Sequence, residues 1–307
     1  MVEILLATYN GEKYIREQID SILNQTYQDI RVLIRDDGSK DRTVDIIKEY
    51  AEKYPDKVRL IEDNVRCGSS ASNFMQLTKS ATAEYVMYSD QDDLWLPEKV
   101  EKSLQAMFAV ERNSSNKKPT LIFCKNKLVD ENLQVILEEE NKTQLAKCET
   151  SFNKMLVQNC VNGCLMMLNK PLYSLLGDYQ EEILMHDWWA ALIASSLGEI
   201  RRIPDVLMLY RQHGNNVVGA VNVKSFKYRL TKFLDKDTKN MKFKYRDQAE
   251  LFYQRYSKLM SDSNRKILED FICIYEEKNK FNRVKKLIKG GYLKSDTVRR
   301  IGQIFYI

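Results

Sequence analysis

Over the first 125 residues, short apolar runs alternate with stretches of helical period. Val2 to Ala7 is such a run and reads as a buried strand. Ile15, Ile19, Ile22 and Leu23 then recur at the spacing of one helix face. A second run, Ile30 to Ile34, ends at the turn signal Asp36-Asp37-Gly38-Ser39. Val44, Ile47, Ala51 and Tyr54 predict a second helix, closed by Pro55. Val58 to Ile61 predicts a third strand, Ser72 to Lys79 a helix, and Tyr85 to Tyr88 a fourth strand. Pro97 stands where a helix carrying Val100, Leu104 and Phe108 would begin, and Leu121 to Cys124 is a further strand.

Strands separated by helices of this length imply right-handed crossovers and a mainly parallel sheet. Ligands of such sheets sit beyond the carboxyl ends of the strands. The segments that matter are then Thr8-Tyr9-Asn10, Asp36-Asp37-Gly38 and Asp90-Gln91-Asp92-Asp93. Residues 126–150 are polar and read as an excursion, and regular patterning returns from Phe152 to Arg211. From about Val221 the chain is helical in character, rich in Lys and Arg and studded with aromatics. A boundary near Ala220 is expected, separating a body (1–220) from a basic helical region (221–307).

Charge sharpens that division. The whole chain carries +5, but residues 221–307 hold 22 Lys/Arg against 10 Asp/Glu, leaving the body at −7. Any anionic surface would be met by the C-terminal region. With 44% hydrophobic residues among 307, a sizeable core is available and a disordered chain is excluded. No apolar run approaches the roughly 18 residues of a membrane span. No secretory signal is visible after Met1, so a cytoplasmic protein with reduced thiols is expected, and the six cysteines form no CxxC.

The glycines form neither a GxGxxG nor a GxxxxGK[ST] pattern. An acidic cluster stands at the strand end instead, and carboxylates approach a phosphate only with a divalent cation between them. Mn²⁺ or Mg²⁺ suits such oxygen ligands; a solvated turn leading into the helix at Pro97 is the alternative. Met185-His186-Asp187-Trp188-Trp189 places an ionisable pair beside two indoles, fit for a sugar hydroxyl or else for a helix start in the core. Both histidines of the chain lie in this segment and in Tyr210-Arg211-Gln212-His213-Gly214-Asn215-Asn216.

Leu6-Ala7-Thr8-Tyr9-Asn10-Gly11, Asp36-Asp37-Gly38-Ser39 and Ser89-Asp90-Gln91-Asp92-Asp93-Leu94-Trp95 resemble the family-2 glycosyltransferases of GT-A fold. The acidic segment, His186-Asp187-Trp188-Trp189 and Tyr210 to Val217 resemble their bacterial rhamnosyltransferase branch. The resemblance covers roughly residues 1–220. It implies a Rossmann-like mixed α/β sheet flanked by helices, to which the C-terminal helices are an extension. It further implies that Ala7, Thr8, Tyr9, Asp37, Arg66, Asp90 and Gln91 border the nucleotide, Asp37 accepting the N3–H of uracil or thymine while Asp36 serves structure. Asp92 would be the metal carboxylate, with Asp93 behind it, and His213 a second metal or diphosphate ligand. Asp187 would be the general base, and Asn162, Gly163, Trp188 and Trp189 would meet the acceptor. The segment Cys124-Lys125-Asn126-Lys127 departs from relatives in lacking an acidic residue.

The expectation is thus an inverting transferase using a nucleoside-diphosphate sugar, dTDP-L-rhamnose foremost. Its acceptor would be a hydroxyl of a lipid-linked bacterial surface polysaccharide. The rivals are a UDP-hexose or UDP-N-acetylhexosamine transferase of the same fold, and a nonenzymatic carbohydrate-binding subunit. The basic C-terminal region would pack on the body, form a homodimer, or lie on an anionic membrane at the inner face of the cell membrane. Nucleic acid is not expected as a partner.

Overall fold

The computed structural model describes residues 1–112, 117–137, 149–213 and 236–307. The expected boundary near Ala220 and much of the predicted excursion lie outside them. The strands are β1 (Val2–Thr8), β2 (Ile30–Asp36), β3 (Val58–Leu60), β4 (Tyr85–Ser89), β5 (Leu94–Trp95), β6 (Thr120–Val129), β7 (Val135–Leu137), β8 (Met166–Asn169) and β9 (Glu199–Arg211). They form one sheet in the order β3-β2-β1-β4-β8-β6-β9-β5, with β7 pairing β6. The amino-terminal strands are parallel, as their intervening helices require. Beyond β4 the sheet turns mixed, because β8 enters antiparallel between β4 and β6.

The helices α1 (Ile15–Leu23), α2 (Thr43–Lys53) and α4 (Lys99–Glu111) cover one face, and α3 (Ser70–Thr78) covers the other. Alternation along β1 feeds both cores: Val2, Ile4 and Leu6 point to the first and Leu5 and Ala7 to the second. The second face also receives the short helices α5 (Phe152–Met155) and α6 (Lys170–Tyr173), together with α7 (His186–Leu197). Ten of the twelve residues of α7 are buried, which explains its apolar composition nearly all round.

The C-terminal region is helical as expected: α8 (Lys236–Tyr256), α9 (Asp262–Glu276), α10 (Lys280–Lys289) and α11 (Thr297–Tyr306). It shares a core with the body. Phe252 lies edge-on to Trp189 at 5.2 Å and Tyr256 packs on the same indole at 5.8 Å. Tyr245 meets Trp188 at 5.6 Å. Among the described residues no helix is long and apolar enough to cross a membrane. Cys67, Cys124, Cys164 and Cys273 are free thiols, whereas Cys160, against the expectation of reduced cysteines, is disulfide-bonded.

Candidate active site

Parallel register brings the ends of three strands together. Thr8 pairs with Asp36 and Leu6 with Ser89, so the residues following β1, β2 and β4 share one rim of the sheet. Asp36 knits that rim: its carboxylate accepts from Thr8 Oγ1 at 2.9 Å, Gly38 N at 2.9 Å and Ser39 N at 2.7 Å. Asp37 instead faces the loop after β3, accepting from Cys67 N at 2.6 Å and Gly68 N at 2.8 Å. This bonding sets Arg66 of that loop against Gly38, where an added Cβ would stand 3.1 Å from Arg66 Nε. Gly38 has φ +90°, a conformation that favours glycine. Beneath them the buried Arg35 spans Asp63 (2.9 Å) and Asn73 (2.7 Å), and lies 3.4 Å from Asp37.

Gln91 joins the acidic segment to the turn after β1. Its amide clamps the Tyr9 backbone, accepting from Tyr9 N at 2.9 Å and donating to Tyr9 O at 3.0 Å. That clamp fixes the turn after β1 and holds Tyr9, itself exposed, beside the acidic segment.

Strand pairing also explains how a residue 121 positions away reaches Asp92. β5 follows the acidic segment at once and runs antiparallel to β9, pairing Leu94 with Leu209. Continuing outward, the end of β9 must lie opposite Asp92. Arg211 Nε donates to Asp92 O at 2.9 Å, Arg211 N to Asp93 Oδ1 at 3.2 Å, and Arg211 Nη2 to Glu17 at 2.5 Å. Two residues on, His213 Nε2 lies 2.8 Å from Asp92 Oδ2. An imidazole nitrogen and a carboxylate oxygen converging at the carboxyl ends of the strands are a donor pair that fits a divalent transition metal such as Mn²⁺ better than Mg²⁺, which prefers oxygen alone. Behind them Asp90, Asp93 and Cys164 bring one ligand atom each within 4.8 Å. Lys99 supplies positive charge there, donating to Cys164 O at 2.6 Å and lying 3.5 Å from the Trp95 ring centre. Burial, then neighbouring carboxylates, raises both Asp90 and Asp93 above the usual carboxylate range.

Asp187 opens α7, only 8% exposed. Burial raises its carboxyl to about 7, although the backbone N–H groups of Trp188, Gly163 and Asp187 itself favour the ionised form. Its carboxylate accepts from Trp188 N at 2.6 Å, Gly163 N at 3.0 Å and the side-chain amide of Asn159 at 3.1 Å. Asp187 also adds to the field that raises Asp90, which puts Asp187 and the acidic segment in one electrostatic neighbourhood. A carboxylate poised near neutrality can take a proton from a hydroxyl.

Of the acceptor-side residues, Asn162 is exposed and Gly163 bonds Asp187, so both adjoin it. Trp188 and Trp189 are corrected to core roles. They are 7% and 0% exposed, and their indole N–H groups donate to Met155 O (2.6 Å) and Leu176 O (3.1 Å). They anchor the C-terminal helices and offer no open face to a sugar. His186 also turns inward, stacked on Phe74 at 4.3 Å, and burial lowers it to about 3, so it is neutral. Asn159, Arg35 and Lys99 were not anticipated. Arg35, directly after the apolar run of β2 and before the turn signal, was a readable signal for a charge at the strand end; nothing in the local pattern marked Asn159.

The model of the family described as glycosyl transferase family 2 matches residues 3–146. The chain is 30% identical over 230 residues to the dTDP-rhamnosyl transferase RfbG of Shigella flexneri, covering 70% of this chain and 74% of that protein. It is 28% identical to an uncharacterised glycosyltransferase of Rickettsia typhi, covering 64% of this chain and 60% of that one. Two solved structures share the fold. One is S. aureus TarS 1-349, with TM-score 0.57 and 15% identity over 99% of this chain and 78% of that one. The other is the mannosyltransferase PcManGT from Pyrobaculum calidifontis in complex with GDP-Man and Mn²⁺, with TM-score 0.56 and 16% identity over 99% of this chain and 83% of that one. These define a GT-A glycosyltransferase. The chain belongs to glycosyltransferase family 2.

Proposed function

We propose that this glycosyltransferase moves L-rhamnose from dTDP-L-rhamnose, with inversion, to a hydroxyl of a lipid-linked bacterial surface polysaccharide. The observation that carries the catalytic part is the buried Asp187, raised to about 7 and oriented by three N–H donors. The likeness to the Shigella rhamnosyl transferase supports the donor. The strand-end rim formed by Thr8, Tyr9, Asp37 and Arg66 would take the nucleoside, with Asp90 toward its sugar.

In the reaction the acceptor oxygen attacks the anomeric carbon as the bond from that carbon to the diphosphate oxygen breaks. Asp187 takes the acceptor proton, a contribution of about 10²–10⁴ in rate. Asp92 and His213 would hold a divalent cation, which when bound offsets negative charge on the departing diphosphate. Arg211 fixes the backbone of Asp92 and so sets where that carboxylate points. With the base and leaving group on opposite faces of the sugar, one displacement suffices and no covalent sugar–enzyme intermediate is needed.

A panel of dTDP-, UDP- and GDP-sugars, each with and without Mn²⁺, tests the reading by thermal stabilisation and donor hydrolysis. dTDP-L-rhamnose with Mn²⁺ should raise the melting temperature most. Preferential stabilisation by a UDP-hexose or UDP-N-acetylhexosamine would replace the donor, and no response to any nucleotide sugar would leave only a carbohydrate-binding role.

A further inference from the structure

We propose that the outer face of α10 and α11 is a docking surface for an anionic lipid bilayer. Four large apolar side chains stand on these adjacent helices: Phe281 is 76% exposed, Ile288 55%, Ile301 59% and Phe305 56%. Phe281 and Ile288 are seven residues apart on α10, and Ile301 and Phe305 four apart on α11, so each pair shares a helix face. Leu287, on the other side of α10, is fully buried in the common core, which fixes the Phe281 face outward. Lys280 joins the two stripes: it donates to Phe305 O at 2.7 Å and lies 5.2 Å from that ring.

Charge names the occupant. Residues 278–289 contain six basic side chains and no acidic one, and residues 278–307 contain nine basic and one acidic. Lys285 and Lys289 flank the apolar stripe, exposed and without an ion pair among the described residues. Apolar side chains between lysines suit an interface of lipid headgroups, the rings entering the acyl boundary while the cations meet phosphate. A second copy of the chain suits the face poorly, because a two-fold contact would set these like charges against each other.

The surface is tied to the base. Asn153 donates to Gly290 O (3.1 Å), Lys154 to Leu293 O (2.9 Å) and Gln158 to Ser295 Oγ (2.9 Å). The next residue, Asn159, bonds Asp187. Docking through α10 and α11 would therefore hold Asp187 at a fixed height above the membrane. The surface stands apart from the transferase reading, since its test needs no substrate.

The full chain is sedimented at low salt with vesicles of equal parts phosphatidylglycerol and phosphatidylcholine, and with phosphatidylcholine alone. Binding is expected to the first, weak to the second, and reversed by added salt. Lys285→Ala with Lys289→Ala should lower the partition coefficient roughly 25-fold, about fivefold for each cation. Phe281→Ser with Ile288→Ser should abolish binding without lowering the melting temperature. No sedimentation with anionic vesicles overturns the proposal, as does binding that both variant pairs leave unchanged. So does a dimer in light scattering that Phe281→Ser with Ile288→Ser dissolves in the absence of vesicle binding.

Discussion

Replacing Asp187 by asparagine keeps the side chain's size and removes its capacity to take a proton. The three donors around it see the change directly. Asp187 Oδ1 accepts from Asn159 and Trp188, and Oδ2 from Gly163. An amide offers one oxygen only, so its NH₂ must face one of these donors, a loss of about 1–3 kcal/mol. The opposing effect is electrostatic. The carboxyl moves from 3.8 to about 7 on folding, so the ionised form costs the native state on the order of 4 kcal/mol. The sign follows from proton binding: between these values the native state holds a proton that the unfolded chain has released. Wild-type stability therefore falls as pH rises from about 4 to about 7, then levels. Asp187→Asn lacks that slope. It should be the less stable protein at pH 5 and close to or above wild type at pH 8, by urea denaturation at both values. Transfer should drop about 10²–10⁴-fold with donor binding little changed. Wild-type kcat/KM should rise through a single ionisation near 7 while the variant's residual rate stays flat. Turnover of the variant within tenfold of wild type, or a wild-type profile flat from pH 5.5 to 8, would refute the base assignment.

Two further substitutions probe the same site. Asp92→Ala should remove the part of donor affinity that depends on Mn²⁺, measured by calorimetric titration with and without chelator; wild-type affinity indifferent to chelator would take the cation away from Asp92 and His213. Asn159→Ala withdraws a hydrogen bond from the ionised form of Asp187, so the acid limb of the pH–rate profile should move up by about one unit. An unmoved or lowered limb would show that Asn159 does not orient the base.

Much of the candidate site was legible because local chemistry announces it. A turn signal or an acidic cluster directly after an apolar strand marks a strand end, and parallel strand ends share a rim whatever lies between them. Thr8, Asp37 and Asp90 needed no more than that. That Asp92 and His213 belong together was legible only through resemblance, since the pairing of β5 with β9 that joins them leaves no local trace. The tryptophans after Asp187 were misjudged for a related reason: an indole's composition is equal for a sugar platform and for a core. Only the packing of Tyr245, Phe252 and Tyr256 decides which it is.

The sequence by itself determined the alternation of strands and helices, the acidic rim and the basic C-terminal region, because each depends on residues near one another in the chain. The tertiary structure decided the rest: β8 inserted antiparallel, Gln91 turned onto Tyr9, Asn159 set against Asp187, and the C-terminal helices fused to the body's core. Such contacts join residues tens to more than a hundred positions apart. Their free energy arises only when the chain has closed, from burial and from partners that no local pattern specifies.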